Sequence, residues 1–142
     1  MLKSIPNILS PDLLKILMEM GHGDELVIAD GNFPSASIAK RLVRLDGHGV
    51  PPLLEAILKL FPLDTYVKSP VALMKTVEGD EEEPAIWSDF ERIIRNSGEP
   101  FRGFEYIERF DFYEKAKEAY AVVATGEQAR YANIIVKKGV VK

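Results

Sequence analysis

The stretch that decides the fold is Met20-Gly21-His22-Gly23-Asp24-Glu25-Leu26-Val27-Ile28-Ala29-Asp30-Gly31-Asn32-Phe33-Pro34. Its apolar run from Leu26 to Ala29 is long enough for one buried strand, and it places Asp30 at the carboxyl end, where open α/β sheets bind ligands. His22 lies in a glycine-flanked loop before the strand, and histidine is the natural proton donor or acceptor near neutral pH. Both residues also occur in ordinary turns, so this stretch alone leaves the structural and the functional interpretation open.

Four helices are predicted around this strand from cap residues, prolines and apolar spacing. The first begins at the cap Ser10 and ends at Gly21, the second begins at Pro51 and ends at Pro62, the third runs from Ile86 to near Gly98, and the fourth begins at the cap Asp111 and ends at Ala119. The apolar residues of these helices are interpreted as core packing.

Short β-branched and apolar runs predict six strands between the helices. They are Leu26–Ala29, Leu42–Leu45, Val71–Val77, Phe104–Arg109, Tyr120–Ala124 and Ile134–Val136. The segment Asn32–Lys40 is predicted to be a polar connection. Helices that alternate with strands indicate an α/β layered domain.

Composition sets the class of protein. The 142 residues fit one domain, residues 1–142, and include 46% apolar and 28% charged residues without a run long enough to span a membrane. There is no cysteine, and the first ten residues lack a signal peptide, so we expect a cytoplasmic protein. The net charge of −4, with scattered basic residues, argues against nucleic acid as a partner.

Three features favour a structural interpretation over a functional one. The acidic segment Glu78–Pro84 is expected to be a solvated surface turn rather than a cation site, since it lacks EF-hand spacing. Trp87 could stack on a sugar, but a lone tryptophan at helical spacing is more often partly buried packing. His48 is expected to be a plain loop residue.

Absent motifs exclude several activities. Neither Gly21-His22-Gly23 nor Gly47-His48-Gly49 has the third glycine of a dinucleotide site, and the phosphate-binding loop is missing. No serine-hydrolase elbow or zinc-binding helix is present, and two histidines cannot form a rich transition-metal site, although carboxylates could still bind Mg²⁺. We therefore expect no cofactor and no metal.

Four segments carry a resemblance to the fucose mutarotase and ribose pyranase family over nearly the full chain. They are Met20–Pro34, Leu63-Asp64-Thr65-Tyr66, Glu108-Arg109-Phe110 and Tyr131-Ala132-Asn133-Ile134-Ile135. The resemblance implies a three-layer α/β domain with a Rossmann-like central sheet flanked by helices. It implies an isomerase that interconverts the α and β anomers of L-fucose without a cofactor.

The resemblance also implies which residues act. His22 matches the proposed proton donor, and the residues expected to bind the sugar are Asp30, Asp64, Arg109, Tyr113, Tyr131 and Asn133. Ring-shaped homo-oligomers, typically decamers with pockets closed by neighbouring subunits, are expected. The apolar segment Ile134–Val141, which a small monomer would leave exposed, is a weak independent reason for assembly.

The chemistry of anomer exchange is compatible with these residues. The ring oxygen gains a proton, the anomeric hydroxyl loses one, and the open aldehyde rotates and closes on its other face. His22 would supply the acid, and Asp30 would either orient the imidazolium or accept hydrogen bonds from the sugar.

The identity of the base stays open, and two other functions remain. A D-ribose pyranase would perform the same chemistry, although Arg109 favours fucose because the ribose branch typically has histidine there. A non-catalytic monosaccharide-binding module would use His22 only structurally.

Overall fold

A computed structural model describes residues 1–142 as five helices and six strands. In chain order they are α1 (Pro11–Glu19), β1 (Glu25–Ala29), α2 (Ser35–Ile38), β2 (Leu42–Leu45), α3 (Val50–Leu58), β3 (Val71–Met74), α4 (Ile86–Ser97), β4 (Glu105–Ile107), α5 (Arg109–Glu118), β5 (Ala121–Thr125) and β6 (Ile134–Lys137). All six predicted strands and all four predicted helices are present.

The strands form one sheet in the order β2-β5-β1-β6-β3-β4. β5 is parallel to both β1 and β2, and β3 is parallel to β4. β6 lies between β1 and β3 and is antiparallel to both of them. The sheet is therefore Rossmann-like in its parallel pairs, with one antiparallel strand inserted near its centre.

Alternation along the strands divides the core into two layers. Leu26 and Ile28 of β1 face one side of the sheet, where α1, α3 and α4 pack. Val27 and Ala29 face the other side, where Phe112 of α5 is fully buried. Helices on both faces of a central sheet confirm the three-layer α/β architecture.

Several boundaries differ from the predictions. The connection expected to be polar contains α2, which forms because Ile38 packs on the core and the Ala39 N–H donates to the Ser35 carbonyl at 2.9 Å. β3 ends at Met74 rather than Val77, since the Val77 N–H bonds to a tyrosine hydroxyl instead of a strand partner.

Other boundaries shift at the helix ends and in the edge strand. α5 begins at Arg109, before the predicted cap Asp111, because the Glu108 carbonyl accepts the Phe112 N–H at 2.8 Å. α3 ends at Leu58, short of Phe61, and β4 covers only Glu105–Ile107.

The prediction for the C-terminal segment is wrong. Ile134, Ile135 and Val136 are buried at the centre of the sheet, and only Val140 and Val141 at the end of that segment are exposed apolar residues. This segment is therefore no reason to expect assembly.

Candidate active site

A polar cavity of about 330 Å³ lies at the carboxyl end of β1. Its lining comes from the loop after β1, the end of β3 and the loop that follows it, the start of α5 and the loop before β6. The lining residues are Asp30, Asn32, Phe33, Met74, Val77, Asp80, Arg109, Tyr113, Arg130, Tyr131 and Asn133. The cavity therefore contains five of the seven sugar-site residues expected from the sequence, and we call it the carboxyl-edge pocket.

Asp30 is buried at the floor of this pocket. Its Oδ1 accepts the Asn32 N–H at 3.0 Å, and its Oδ2 accepts the Ala132 N–H at 3.3 Å. The Asp30 N–H donates to the Asn133 side-chain oxygen at 2.8 Å. Burial raises the pKa of Asp30 above its ordinary value, although the hydrogen bonds from Asn32 and Ala132 oppose this shift. These contacts join the loop after β1 to the loop before β6.

Tyr131 lies in the loop before β6 with an unusual backbone. Its φ of 57° is in the left-handed region, which costs about 1 kcal/mol or more for a residue other than glycine. The Trp87 indole N–H donates to the Tyr131 carbonyl at 2.9 Å and holds this conformation. Trp87 is 9% exposed, which confirms the packing interpretation and adds a supporting role that spacing could not reveal.

Arg109 and Tyr113 lie one helical turn apart at the start of α5. The Arg109 Nε donates to the Tyr113 hydroxyl at 3.0 Å, an i, i+4 contact that directs both polar groups to the same side of the helix. The Tyr113 ring packs edge-on against Phe33, with ring centroids 5.6 Å apart. The remaining guanidinium N–H groups are available to a ligand.

The acidic segment after β3 contributes a residue that the sequence interpretation missed. Asp80 turns inward, accepts the Tyr131 hydroxyl at 2.8 Å and pairs with Arg130. The expectation of a solvated turn is therefore wrong for Asp80, whose side chain is only 18% exposed. Its only local sequence signal is that it is an aspartate directly after Gly79, and glycine and aspartate are common in surface turns.

His22 and Asp64 form a second polar pair outside this pocket. The His22 Nε2 lies 3.0 Å from Asp64 Oδ1, which also accepts the Tyr66 N–H at 3.0 Å. The His22 side chain is 46% exposed, whereas the Asp64 side chain is 4% exposed. Burial tends to raise the pKa of Asp64, but the hydrogen bonds from Tyr66 and His22 outweigh it and lower that pKa below its ordinary value.

The two groups of residues lie at opposite ends of β1. His22 precedes the strand and Asp30 follows it, and five strand residues span roughly 17 Å. Within one chain, the imidazole is paired with Asp64, so of the two roles expected for Asp30 only the contact with the sugar is open to it there. The structure brings together Asp30, Arg109, Tyr113, Tyr131 and Asn133 and separately pairs His22 with Asp64.

No three His, Asp or Glu side chains converge closely enough to form a candidate metal site. None of the five helices has the length and apolar character needed to cross a membrane.

Comparison with known proteins gives consistent matches. Residues 3–141 match the RbsD / FucU transport protein family. The chain is 54% identical to the fucose mutarotase of Homo sapiens, over 98% of this chain and 94% of that protein. Its fold matches the crystal structure of the fucose mutarotase from Streptococcus pneumoniae in complex with L-fucose, with a TM-score of 0.96, 55% identity and coverage of 99% of this chain and 100% of that one.

A more distant match is RbsD of Bacillus subtilis complexed with D-ribose. The TM-score is 0.73 at 25% identity, over 94% of this chain and 95% of that one. The same α/β fold therefore occurs in proteins that hold two different monosaccharides.

Proposed function

Because this chain belongs to the RbsD / FucU transport protein family, we propose that it is an L-fucose mutarotase, an isomerase that interconverts the α and β anomers of L-fucose. The carboxyl-edge pocket carries the proposal, because its volume of about 330 Å³ and its dense polar lining suit one monosaccharide. The similar fucose mutarotase of Streptococcus pneumoniae, which shares the fold over the whole chain, was crystallised with L-fucose.

The pocket supplies the donors and acceptors that a sugar requires. Asp30 offers carboxylate lone pairs, and Arg109 offers guanidinium N–H groups in a fixed fork. The Asn133 oxygen accepts the Asp30 N–H, which leaves its amide N–H groups for the ligand. The Tyr113 and Tyr131 hydroxyls complete the proposed sugar contacts.

His22 is the proposed catalytic acid. It would donate a proton to the ring oxygen as the bond between that oxygen and C1 breaks, while the anomeric hydroxyl passes its own proton to a general base. The resulting aldehyde rotates about the C1–C2 bond and recloses; the base returns its proton to the new anomeric oxygen, and His22 recovers the proton of the attacking hydroxyl. Asp64 would fix the imidazole through the 3.0 Å contact and would lie near the bound sugar.

These roles require more than one subunit. The His22–Asp64 pair lies at the other end of β1 from the carboxyl-edge pocket, so a neighbouring copy must bring its own pair to that pocket. We therefore include a homo-oligomer in the proposal, with a decamer as the expected size and the active site between subunits.

We further propose that residues 1–142 form one mutarotase domain and that the protein acts in the cytoplasm. Fractionation of cells that produce the protein would test its location. D-ribose is the second candidate substrate, because RbsD of Bacillus subtilis, which was complexed with D-ribose, shares the fold.

Saturation-transfer NMR on the anomeric protons of L-fucose tests this function, with D-ribose as the comparison sugar. We expect the wild-type protein to accelerate L-fucose exchange and His22→Gln to lose about 10²-fold or more of that rate. His48→Gln, which changes the other histidine in a loop outside the pocket, is the matched control and should keep the rate. Faster D-ribose exchange would favour the pyranase, and unchanged exchange of both sugars would favour a binding module.

A further inference from the structure

The acidic segment after β3 contains one carboxylate that differs from its neighbours. Glu81, Glu82 and Glu83 are exposed, whereas Asp80 faces the carboxyl-edge pocket. The sugar contacts proposed above do not use Asp80.

Two contacts within the protein already use most of the hydrogen-bonding capacity of the Tyr131 hydroxyl. A phenol has one O–H donor and two acceptor lone pairs. The donor is directed to Asp80 Oδ2 at 2.8 Å, and one lone pair accepts the Val77 N–H at 3.3 Å. One acceptor lone pair remains, so Tyr131 can accept a hydrogen bond from a ligand but cannot donate one.

The Asp80 carboxylate is itself fixed on both oxygens. Its Oδ1 accepts the Glu81 N–H at 2.9 Å, and its Oδ2 also pairs with Arg130. The hydrogen bonds from Glu81 and Tyr131, with the positive charge of Arg130, lower the pKa of Asp80 and keep it ionised in mildly acidic solution.

Both ends of Tyr131 are therefore held. Trp87 holds its carbonyl and Asp80 holds its hydroxyl, 44 and 51 residues away in the sequence. Torsion of the hydroxyl would otherwise let the oxygen present either a proton or a lone pair to the sugar.

On the basis of the proposed mutarotase function, we propose that Asp80 is a positioning residue that orients the Tyr131 hydroxyl as an obligate acceptor for a hydroxyl group of the sugar. Asp80 does not touch the substrate and acts through Tyr131. The pocket thus recognises a sugar hydroxyl at this point by the proton that the hydroxyl donates.

A double-mutant cycle tests this role through the L-fucose exchange rate. We expect Asp80→Asn to slow exchange by about tenfold or more, since the Tyr131 hydroxyl loses its charged acceptor. In a Tyr131→Phe background the same substitution should change the rate by less than about twofold, because the hydroxyl is already absent. Asp80→Glu keeps the carboxylate and should recover part of the rate.

Glu82→Gln is the matched control, since it removes the same charge from the same loop and should leave exchange unchanged. Equal slowing by Asp80→Asn in the wild-type and Tyr131→Phe backgrounds would overturn the proposal. If Asp80→Asn does not fold, Asp80→Ser replaces it in the same cycle with the same expected outcomes.

A measurement without sugar separates this proposal from the mutarotase function. In protein labelled with ¹³C at tyrosine Cζ, the Tyr131 signal should move in Asp80→Asn and stay in place in Glu82→Gln. An unmoved signal in Asp80→Asn would refute the contact with Asp80, whereas absence of fucose exchange in the wild-type protein would refute only the proposed function.

Discussion

Asp30 shows how the fold sets the chemistry of one residue. Its carboxylate is removed from water by the loops after β1 and before β6, and two backbone N–H groups partly compensate for that loss. Because burial raises its pKa, Asp30 takes up a proton at a higher pH than an exposed aspartate does.

The raised pKa predicts how sugar binding depends on pH. Only the ionised carboxylate accepts hydrogen bonds on both oxygens, so affinity for L-fucose should fall as the pH drops through the pKa of Asp30. We expect a loss of about 1.5–3 kcal/mol, measured by calorimetric titration in His22→Gln, a variant that has no imidazole at position 22.

Two controls identify the group responsible. Asp30→Asn should bind weakly at every pH, whereas Asp12→Asn, on α1 far from the pocket, should retain the wild-type profile. Folding raises the pKa of Asp30, so the stability that this group contributes is present at low pH and is lost as the pH rises through that pKa. Acid unfolding through Asp30 therefore cannot produce the expected loss of binding. An affinity that stays constant down to the ordinary pKa of aspartate would contradict the prediction.

At the level of single residues, the sequence predicts which residues belong to the site better than it predicts their contacts. Asp30 follows a recognisable strand, and the resemblance selects Tyr131 and Asn133 from a loop without local signals. Asp80 was missed because its role depends on contacts about 50 residues away, and no local pattern distinguishes it from the glutamates that follow.

At the scale of elements, two loops at the carboxyl edge are packed directly against each other. The Gly126 N–H, just after β5, donates to the His48 carbonyl in the loop between β2 and α3 at 2.9 Å. A Cβ on Gly126 would overlap the Asp46 carbonyl oxygen, whereas a Cβ on Gly47 would meet open space.

This difference predicts opposite effects of the same substitution. Gly126→Ala should reduce the free energy of unfolding by about 1–3 kcal/mol, because backbone atoms must move apart. Gly47→Ala is the matched control and should have no cost or a small gain, since alanine restricts the unfolded chain. Urea unfolding at one protein concentration, followed by far-ultraviolet circular dichroism, measures both. Equal stabilities of the two variants would show that the loops separate without cost.

Elements were predictable where their ends carry local signals. Ser10 caps α1 through a hydrogen bond to the Leu13 N–H at 3.2 Å, and Gly98 ends α4 in the left-handed conformation, as the sequence indicates. α2 and the early end of β3 depend on packing and on Tyr131, so periodicity could not predict them.

For the whole molecule, the feature that decides the proposed assembly is that His22 and the carboxyl-edge pocket lie at opposite ends of β1. The proposed active site between subunits predicts complementation between inactive variants. His22→Gln and Asp30→Asn, unfolded together in equal amounts and refolded, should regain about a quarter of the wild-type exchange rate, because random assembly gives one site in four with both native residues.

The matched control combines His22→Gln with Asp64→Asn, which alter the same face of the subunit. No shared site can then contain a native His22–Asp64 pair, so exchange should stay absent. Failure of His22→Gln and Asp30→Asn to complement, with an oligomer shown by light scattering, would place each active site within one subunit.

The position of β6 has a consequence for synthesis on the ribosome. β6 follows every other strand in the chain, yet it lies between β1 and β3 and provides the pairing partner of both. A nascent chain can therefore pair β5 with β1 early. Until residues 134–137 emerge, however, no strand joins β3 and β4 to β1 and β5. The same final segment follows Tyr131 and Asn133 directly, so the newly made protein acquires its complete sheet and its pocket in one late step.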